Sequence, residues 1–315
     1  MPSPLPSSDL SRLTTAGVFL LLLIHLPPSL VVADEAIPEV DETEEADVEL
    51  DEAALASAAD VDEEEVTFPW LGEELYYSVR VNDSEAMRAG VRIGTMEYRG
   101  DTPYVPISGV ARSRGFFDAI YPVDDRINVY LDPATNRPFR SEKRLDENNR
   151  FRTYDVDYRR HEYIAYVERF RRDRESTFQD SIPAETHNMI SWLYELRRTD
   201  DIAIGDQFSY FIYDGWLLSR IELEVVARED LLTPVGWFKT WRVDFERDIL
   251  RSRRARRNDD EPPEPPEIIV DDEARHTGSI WFSRDQNMIP VKFSVDSTFG
   301  SGDVVIIRYV RGESG

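Results

Sequence analysis

The groups in this chain that could carry chemistry are its histidines, its paired acids and its aromatic rings. Of the four histidines, His161 precedes Glu162, but no second histidine follows at helical spacing, and successive residues of a strand face opposite ways. His187 stands inside a predicted helix, two residues after Glu185, and that separation does not share a helix face. Both read as ordinary polar positions. The acid pairs Asp124-Asp125 and Asp271-Asp272 are assigned to turns, where aspartate bonds nearby backbone amides. The sequence has no G-x-S-x-G elbow, no phosphate-cradling glycine loop and no H-E-x-x-H. It has no cysteine, which excludes disulfides, thiolate metal sites and a cysteine nucleophile. These patterns assign no catalytic residue, no metal and no cofactor.

The aromatic content is the larger resource, with six Trp, fourteen Tyr and fifteen Phe. Several rings (Tyr76, Phe211, Tyr213, Phe238, Trp281) alternate onto faces that would otherwise be polar. One reading makes them the core and rim of a β domain. The other makes them the lining of an apolar cavity on the concave side of a curved sheet. On that reading the lining is drawn from Tyr77, Trp192, Tyr194, Trp216, Trp237, Trp241 and Trp281, around a lipid-like or other apolar ligand.

The elements that must position these rings are strands. Leu75, Tyr77, Val79 and Val81 alternate with Tyr76, Ser78 and Arg80, and Trp237, Lys239, Trp241, Val243 and Phe245 repeat the pattern. About a dozen such runs lie between turn signals such as Asp214-Gly215 and "LDENNRF". The predicted fold is mainly β: a single large curved antiparallel sheet or incomplete β-barrel with one packed helix. That helix is "DSIPAETHNMISWLYELRR", capped at Asp180 or Ser181 with Pro183 in its first turn and an apolar stripe through Leu196. A second short turn is expected near 115–121.

One unit occurs twice, as "VYLDPATNRPFRS" at 129–141 and "WFSRDQNMIPVKFSV" at 281–295. In each, an aspartate (Asp132, Asp285) closes one strand by bonding turn amides. A proline (Pro138, Pro290) opens the next where its missing N–H costs no ladder bond. The unit reads as a rigid hairpin, a device of shape.

Three regions stand apart. Residues 1–33 read as a secretory signal: Arg12, an apolar run from Ala16 to Leu26, two prolines, and small residues before cleavage after Ala33. That run is too short to span a bilayer, so no integral membrane segment is expected once it is removed. Residues 34–65 hold sixteen acids and no base, sixteen of the 25 net negative charges, and are expected to be a disordered linker. A divalent-cation or basic-partner role is its other reading, and a nucleic-acid partner is disfavoured by repulsion from phosphate. The remaining 66–315 form one domain, interrupted at about 250–277 by an Arg-rich and Pro-rich stretch expected to be a disordered surface loop.

The segments "GEELYYSVRV", "RAGVRIGTMEY", "SWLYELRR", "LLTPVGWFKTWRV" and "IWFSRDQNMIPVKF" together resemble the bacterial exported proteins of domain of unknown function 3108 over most of 72–311. The resemblance implies the cell envelope of a double-membraned bacterium and supplies no activity and no catalytic residue. Its strand–turn–Pro–strand units are similar to those of periplasmic lipoprotein-carrier proteins, where a half-barrel wraps helices around an apolar cavity. The leading expectation is an exported, non-catalytic binder of an apolar ligand, in the periplasm or secreted. A scaffold binding other envelope proteins is the alternative, and an enzyme on envelope polymers the third.

Overall fold

The computed structural model describes residues 67–81, 84–253, 263–297 and 300–312. The expected signal, the expected acidic linker and the stretch 254–262 lie outside them. The chain folds into β1 (Glu74–Val81), β2 (Ser84–Ile93), β3 (Glu97–Arg99), β4 (Thr102–Ser113), helix α1 (Gly115–Ile120), β5 (Val123–Asp132), β6 (Arg137–Glu147) and β7 (Arg150–Arg159). A 3-10 turn (Arg160–Glu162), β8 (Ile164–Arg171), β9 (Glu175–Ser181), helix α2 (Ser191–Arg197) and β10 (Gln207–Tyr213) follow. The last strands are β11 (Leu218–Thr233), β12 (Gly236–Arg253), β13 (Glu267–Ser283), β14 (Pro290–Ser297) and β15 (Gly300–Val310).

All strands belong to one antiparallel array in the order β10-β11-β12-β13-β14-β15-β1-β2-β4-β5-β6-β7-β8-β9, with the short β3 on β4. Two meanders, β1 to β9 and β10 to β15, are thus joined where the first and last strands pair, Leu75 opposite Tyr309 and Val79 opposite Val304. Connections are short because antiparallel neighbours need only a turn. Between β6 and β7 the turn is Asn148-Asn149, both at positive φ (50° and 59°), a conformation asparagine tolerates.

The sheet does not close into a barrel, because β9 and β10 share no ladder. It curls until the two limbs meet: Tyr213 Oη of β10 donates to Asp180 Oδ2 of β9 at 2.6 Å, and Tyr158 Oη of β7 donates to the Tyr213 carbonyl at 3.0 Å. Gly215 sits in the β10–β11 connection at φ 98°, where a Cβ would stand 3.1 Å from Val156 Cγ2 on the far limb. Glycine is required there twice over, by conformation and by close approach.

The connection from β9 to β10 has to pass from one edge of the sheet to the other, and it does so across the concave side. Here the structure corrects the sequence reading. The helix begins at Ser191, nine residues after Ile182, and the segment before it is turns plus one bridge. His187 forms that bridge, parallel to Ile212: its N–H bonds the Phe211 carbonyl and its carbonyl accepts from Tyr213 N–H. An unpaired edge amide is costly when buried, and this tertiary partner outweighs helix propensity over Ile182–Ile190. The interval 250–277 is also corrected at both ends, since β12 runs to Arg253 and β13 begins at Glu267.

Candidate functional site

The concave face carries a cavity of about 100 Å³, and strand register explains why it exists. Tyr77, Ala89, Ala111 and Asp125 are direct partners across β1, β2, β4 and β5. The adjoining row is Leu75, Val91, Gly109 and Ile127. Ala89 and Ala111 occupy the middle of the first row, so the sheet floor is hollow there, while in the second row Ile127 covers Gly109. A Cβ at Gly109 would stand 2.7 Å from Ile127 Cγ2. Met189, Ile190, Leu193 and Tyr194 form the roof, and Pro290 and Phe293 of β14 close one side.

Behind the roof lies a buried polar lock. Arg197 Nη1 and Nη2 donate to the two carboxylate oxygens of Glu73 at 2.7 and 2.6 Å, and its Nε donates to the Asn287 carbonyl at 2.9 Å. Tyr194 Oη donates to Glu73 Oε1, and Tyr77 Oη to the Pro290 carbonyl at 2.8 Å. The guanidinium also packs on the rings of Trp70 and Tyr194, each 4.8 Å away. Burial opposes the charge on Arg197, but the Glu73 carboxylate more than offsets it and holds its pKa above the usual value. Burial raises the Tyr77 and Tyr194 hydroxyls far from any physiological titration.

The repeated hairpins prove to be the supports of this lock. Asp132 Oδ1 accepts from Ala134 N–H and Asp285 Oδ1 from Asn287 N–H, at 3.0 and 2.9 Å. In each, a residue at positive φ (Asn136, Met288) stands two before the proline, and a register shift follows at the proline (Leu131 opposite Pro138, Phe282 opposite Pro290). Both turns grip α2: Asn136 Nδ2 donates to Glu195 Oε2 at 3.1 Å, and the Asn287 carbonyl takes Arg197.

The predicted lining residues part company. Tyr77 and Tyr194 line the cavity. Trp192 is fully buried beside it, with Nε1 donating to the Met189 carbonyl, and packs at 6.2 Å from Tyr210. Trp216 lies in the separate core where the two limbs of the sheet meet, 4.0 Å from the Lys143 ammonium. Trp241 is stacked by Arg228 and Arg284. Trp281 points outward between Ile280 and Phe282, donating to Glu229 Oε2 at 2.8 Å. Trp237 is 71% exposed at the tip of the β11–β12 hairpin. These last four are absent from the cavity wall.

Two acid assignments are also corrected. Asp124-Asp125 lie inside β5 and Asp271-Asp272 inside β13, not in turns. Asp125 faces inward with Val123, Ile127 and Val129, is 1% exposed, and lines the cavity. Burial and then the Glu147 carboxylate push its pKa up to about 8. The alternation of Val123, Ile127, Val129 and Leu131 around it carried that signal in the sequence. Lys143, the inward partner of Ile127 on β6, donates to the Asp214 carbonyl, and burial lowers its pKa to about 8.

His187 lies before the helix, its Nδ1 3.2 Å from Ser191 Oγ, and burial with Arg137 and Arg160 lowers its pKa to about 3. His161 is exposed in the 3-10 turn. Among the described residues no group of three or more His, Asp or Glu is placed to hold a metal ion. None of their helices is long and apolar enough to cross a membrane.

A curled, unclosed antiparallel sheet with a short helix seated over an apolar hollow makes this an incomplete-barrel β protein. More particularly, the chain belongs to the family of proteins of unknown function DUF3108, whose model matches residues 76–307. No curated protein matches it. Among solved structures it is similar to a β-barrel-like protein of domain of unknown function DUF1849 from Brucella abortus, at 10% identity and TM-score 0.47, covering 78% of this chain and 99% of that one. It is also similar to a protein with a YmcC-like fold from Bacteroides fragilis, at 12% identity and TM-score 0.32, covering 78% and 98%. At these identities and scores neither neighbour bears on what the chain does.

Proposed function

We propose that this is an exported, non-catalytic binding protein that takes an apolar group into the cavity beneath α2. The observation that carries the reading is the pair of small residues Ala89 and Ala111, partners on adjacent strands, facing an apolar roof. A sheet selected for packing alone would fill that space, since voids forfeit contacts. The volume suits a small ring or a short alkyl segment, being below the ~150 Å³ of an apolar cavity that accepts benzene. A lipid would therefore insert one chain end, with the rest of the molecule outside.

The test is thermal unfolding of the full chain with benzene and n-butanol. Either should raise Tm in the wild type, because a ligand that binds only the folded state stabilises it. Ala111→Leu should fill the hollow, cost about 1–3 kcal/mol through overpacking and abolish the shift. No shift with any probe in the wild type overturns the proposal.

Export rests on the signal-like residues 1–33, with the acidic segment 34–65 as a solvated spacer. The mass of the protein recovered from its host should correspond to Asp34 as first residue. Retention of 1–33 would overturn that part of the reading. The exposed tip of the β11–β12 hairpin, Leu232 with Trp237, favours a second reading, contact with an envelope protein. Loss of a cross-linked partner on changing both to Ser would support it.

A further inference from the structure

Of the polar groups lining the cavity, Arg197, Tyr77 and Tyr194 are engaged in the lock, and at Asp125, at one end of the floor, the chemistry is incomplete. Asp125 Oδ1 accepts the backbone N–H of Asp146 at 3.1 Å, while Oδ2 is buried with no hydrogen-bond partner. Buried acceptors are nearly always paired, and a buried carboxyl with an open oxygen is expensive to keep. The charged groups that bear on it are Glu147 and Asp124, which disfavour its ionisation, Arg152, which favours it, and Lys143 on the neighbouring strand. Arg152 is engaged by Glu147, and Arg126, which also lines the cavity, approaches Asp124 at 3.8 Å. From the roof, Arg197 is taken up by Glu73. No cation of the described structure bonds Oδ2.

We infer that the cavity binds a small primary alkylamine, or the alkylamine end of a larger molecule, with its ammonium on Asp125 Oδ2. The alkyl part lies along Ala111 and Ala89 toward Tyr77, in the same row of the sheet. This rests on the apolar-cavity reading and adds the head group to it. An ammonium supplies both the missing donor and the counter-charge that the carboxylate needs. A ligand carboxylate would set a second acid against the first, and an alcohol would supply the hydrogen bond without the charge. Near pH 7 the empty site holds a neutral carboxylic acid, so binding of R–NH3⁺ forms the ion pair and releases the acid's proton to the buffer.

The probes are n-butylamine and n-butanol, titrated calorimetrically into the full chain at pH 7 in phosphate and in MOPS. The amine should bind at least tenfold tighter than the alcohol and release about one proton, read from the buffer dependence of the heat. Below pH 7 its affinity should fall by about tenfold per pH unit, because each unit raises the cost of displacing that proton. Asp125→Asn should bring the amine down to the affinity of the alcohol and abolish proton release. Should that variant fail to fold, the proton count of the wild type still decides. Alcohol binding with no amine preference or no proton release overturns the inference and leaves the apolar cavity standing. Binding of neither probe overturns both.

Discussion

Arg197 and Glu73 form a two-pronged ion pair in which both side chains are buried, 1% and 4% exposed. It ties the end of α2 to the residue before β1, and so fixes the roof of the cavity to its floor. The Asn287 carbonyl completes the guanidinium and Tyr194 adds a bond to the carboxylate. An ion pair this deep is safe only because nearly every donor and acceptor is satisfied.

Breaking one side of that pair should cost more than removing both. Glu73→Gln leaves a buried guanidinium without its counter-charge and should lower stability by about 3 kcal/mol or more. The double variant Glu73→Gln, Arg197→Met should recover part of that loss in urea unfolding. A double variant as unstable as the sum of the two single changes would contradict the account.

The inward carboxyl and lysine should leave a signature in the pH dependence of stability. Asp125 titrates at about 8 when folded and near 3.8 otherwise. Between those values the folded state holds the extra proton, so its contribution is full below about pH 4 and is lost as pH rises to 8. Lys143 falls from 10.5 to about 8 on folding. Its contribution is full above 10.5 and is lost as pH falls through 8. His187, lowered from 6.5 to about 3, loses its contribution as pH falls between those values. Difference curves isolate the groups. Asp125→Asn should gain on the wild type from pH 5 to 8, and Lys143→Met should lose relative advantage from pH 8 to 10. Flat difference curves from urea midpoints would refute both assignments.

Trp241 separates packing from binding. It is 9% exposed, belongs to the main core and is stacked by Arg228 and Arg284 at 4.5 and 5.3 Å. Trp241→Ala should destabilise by about 3 kcal/mol or more while leaving probe binding in the cavity unchanged. A variant that folds normally but no longer binds benzene would place this ring in the site.

The two copies of the hairpin should not be equal in energy. Asp285→Ala removes an Asx-type bond and the bond from the Ser283 hydroxyl at 3.1 Å, both at an open turn, and should cost about 1 kcal/mol. Asp132→Ala removes the equivalent Asx-type bond and hydroxyl bond, the latter from Thr135 at 2.7 Å, and in addition the buried approach of Arg160 at 3.6 Å. It should cost about 2–3 kcal/mol more, since it disturbs a buried charge. Equal losses in urea midpoints would mean that Arg160 is indifferent to Asp132.

What the sequence determined by itself was local. Alternation of apolar residues named the strands, Asn148-Asn149 and Gly215 named turns that need positive φ, and the Asp–turn–Pro unit named a repeated hairpin. Each of these is settled by contacts within a few residues, so a short window holds the information. The inward place of Asp125 was equally legible from Val123, Ile127 and Val129, but the general preference of aspartate for turns concealed it.

Only the tertiary structure decided the rest. The cavity floor joins Tyr77, Ala89, Ala111 and Asp125 from four strands, a set defined by register and invisible to periodicity along any one of them. Trp237 and Trp241 share a strand and a parity, yet one is exposed and the other is core, because the hairpin tip runs beyond the part of the sheet that curls over the interior. The start of α2 was likewise set from outside, when the edge of β10 took the His187 backbone for its own hydrogen bonds. Strand identity is a property of the chain near each residue; what a residue faces depends on how far the whole sheet curls.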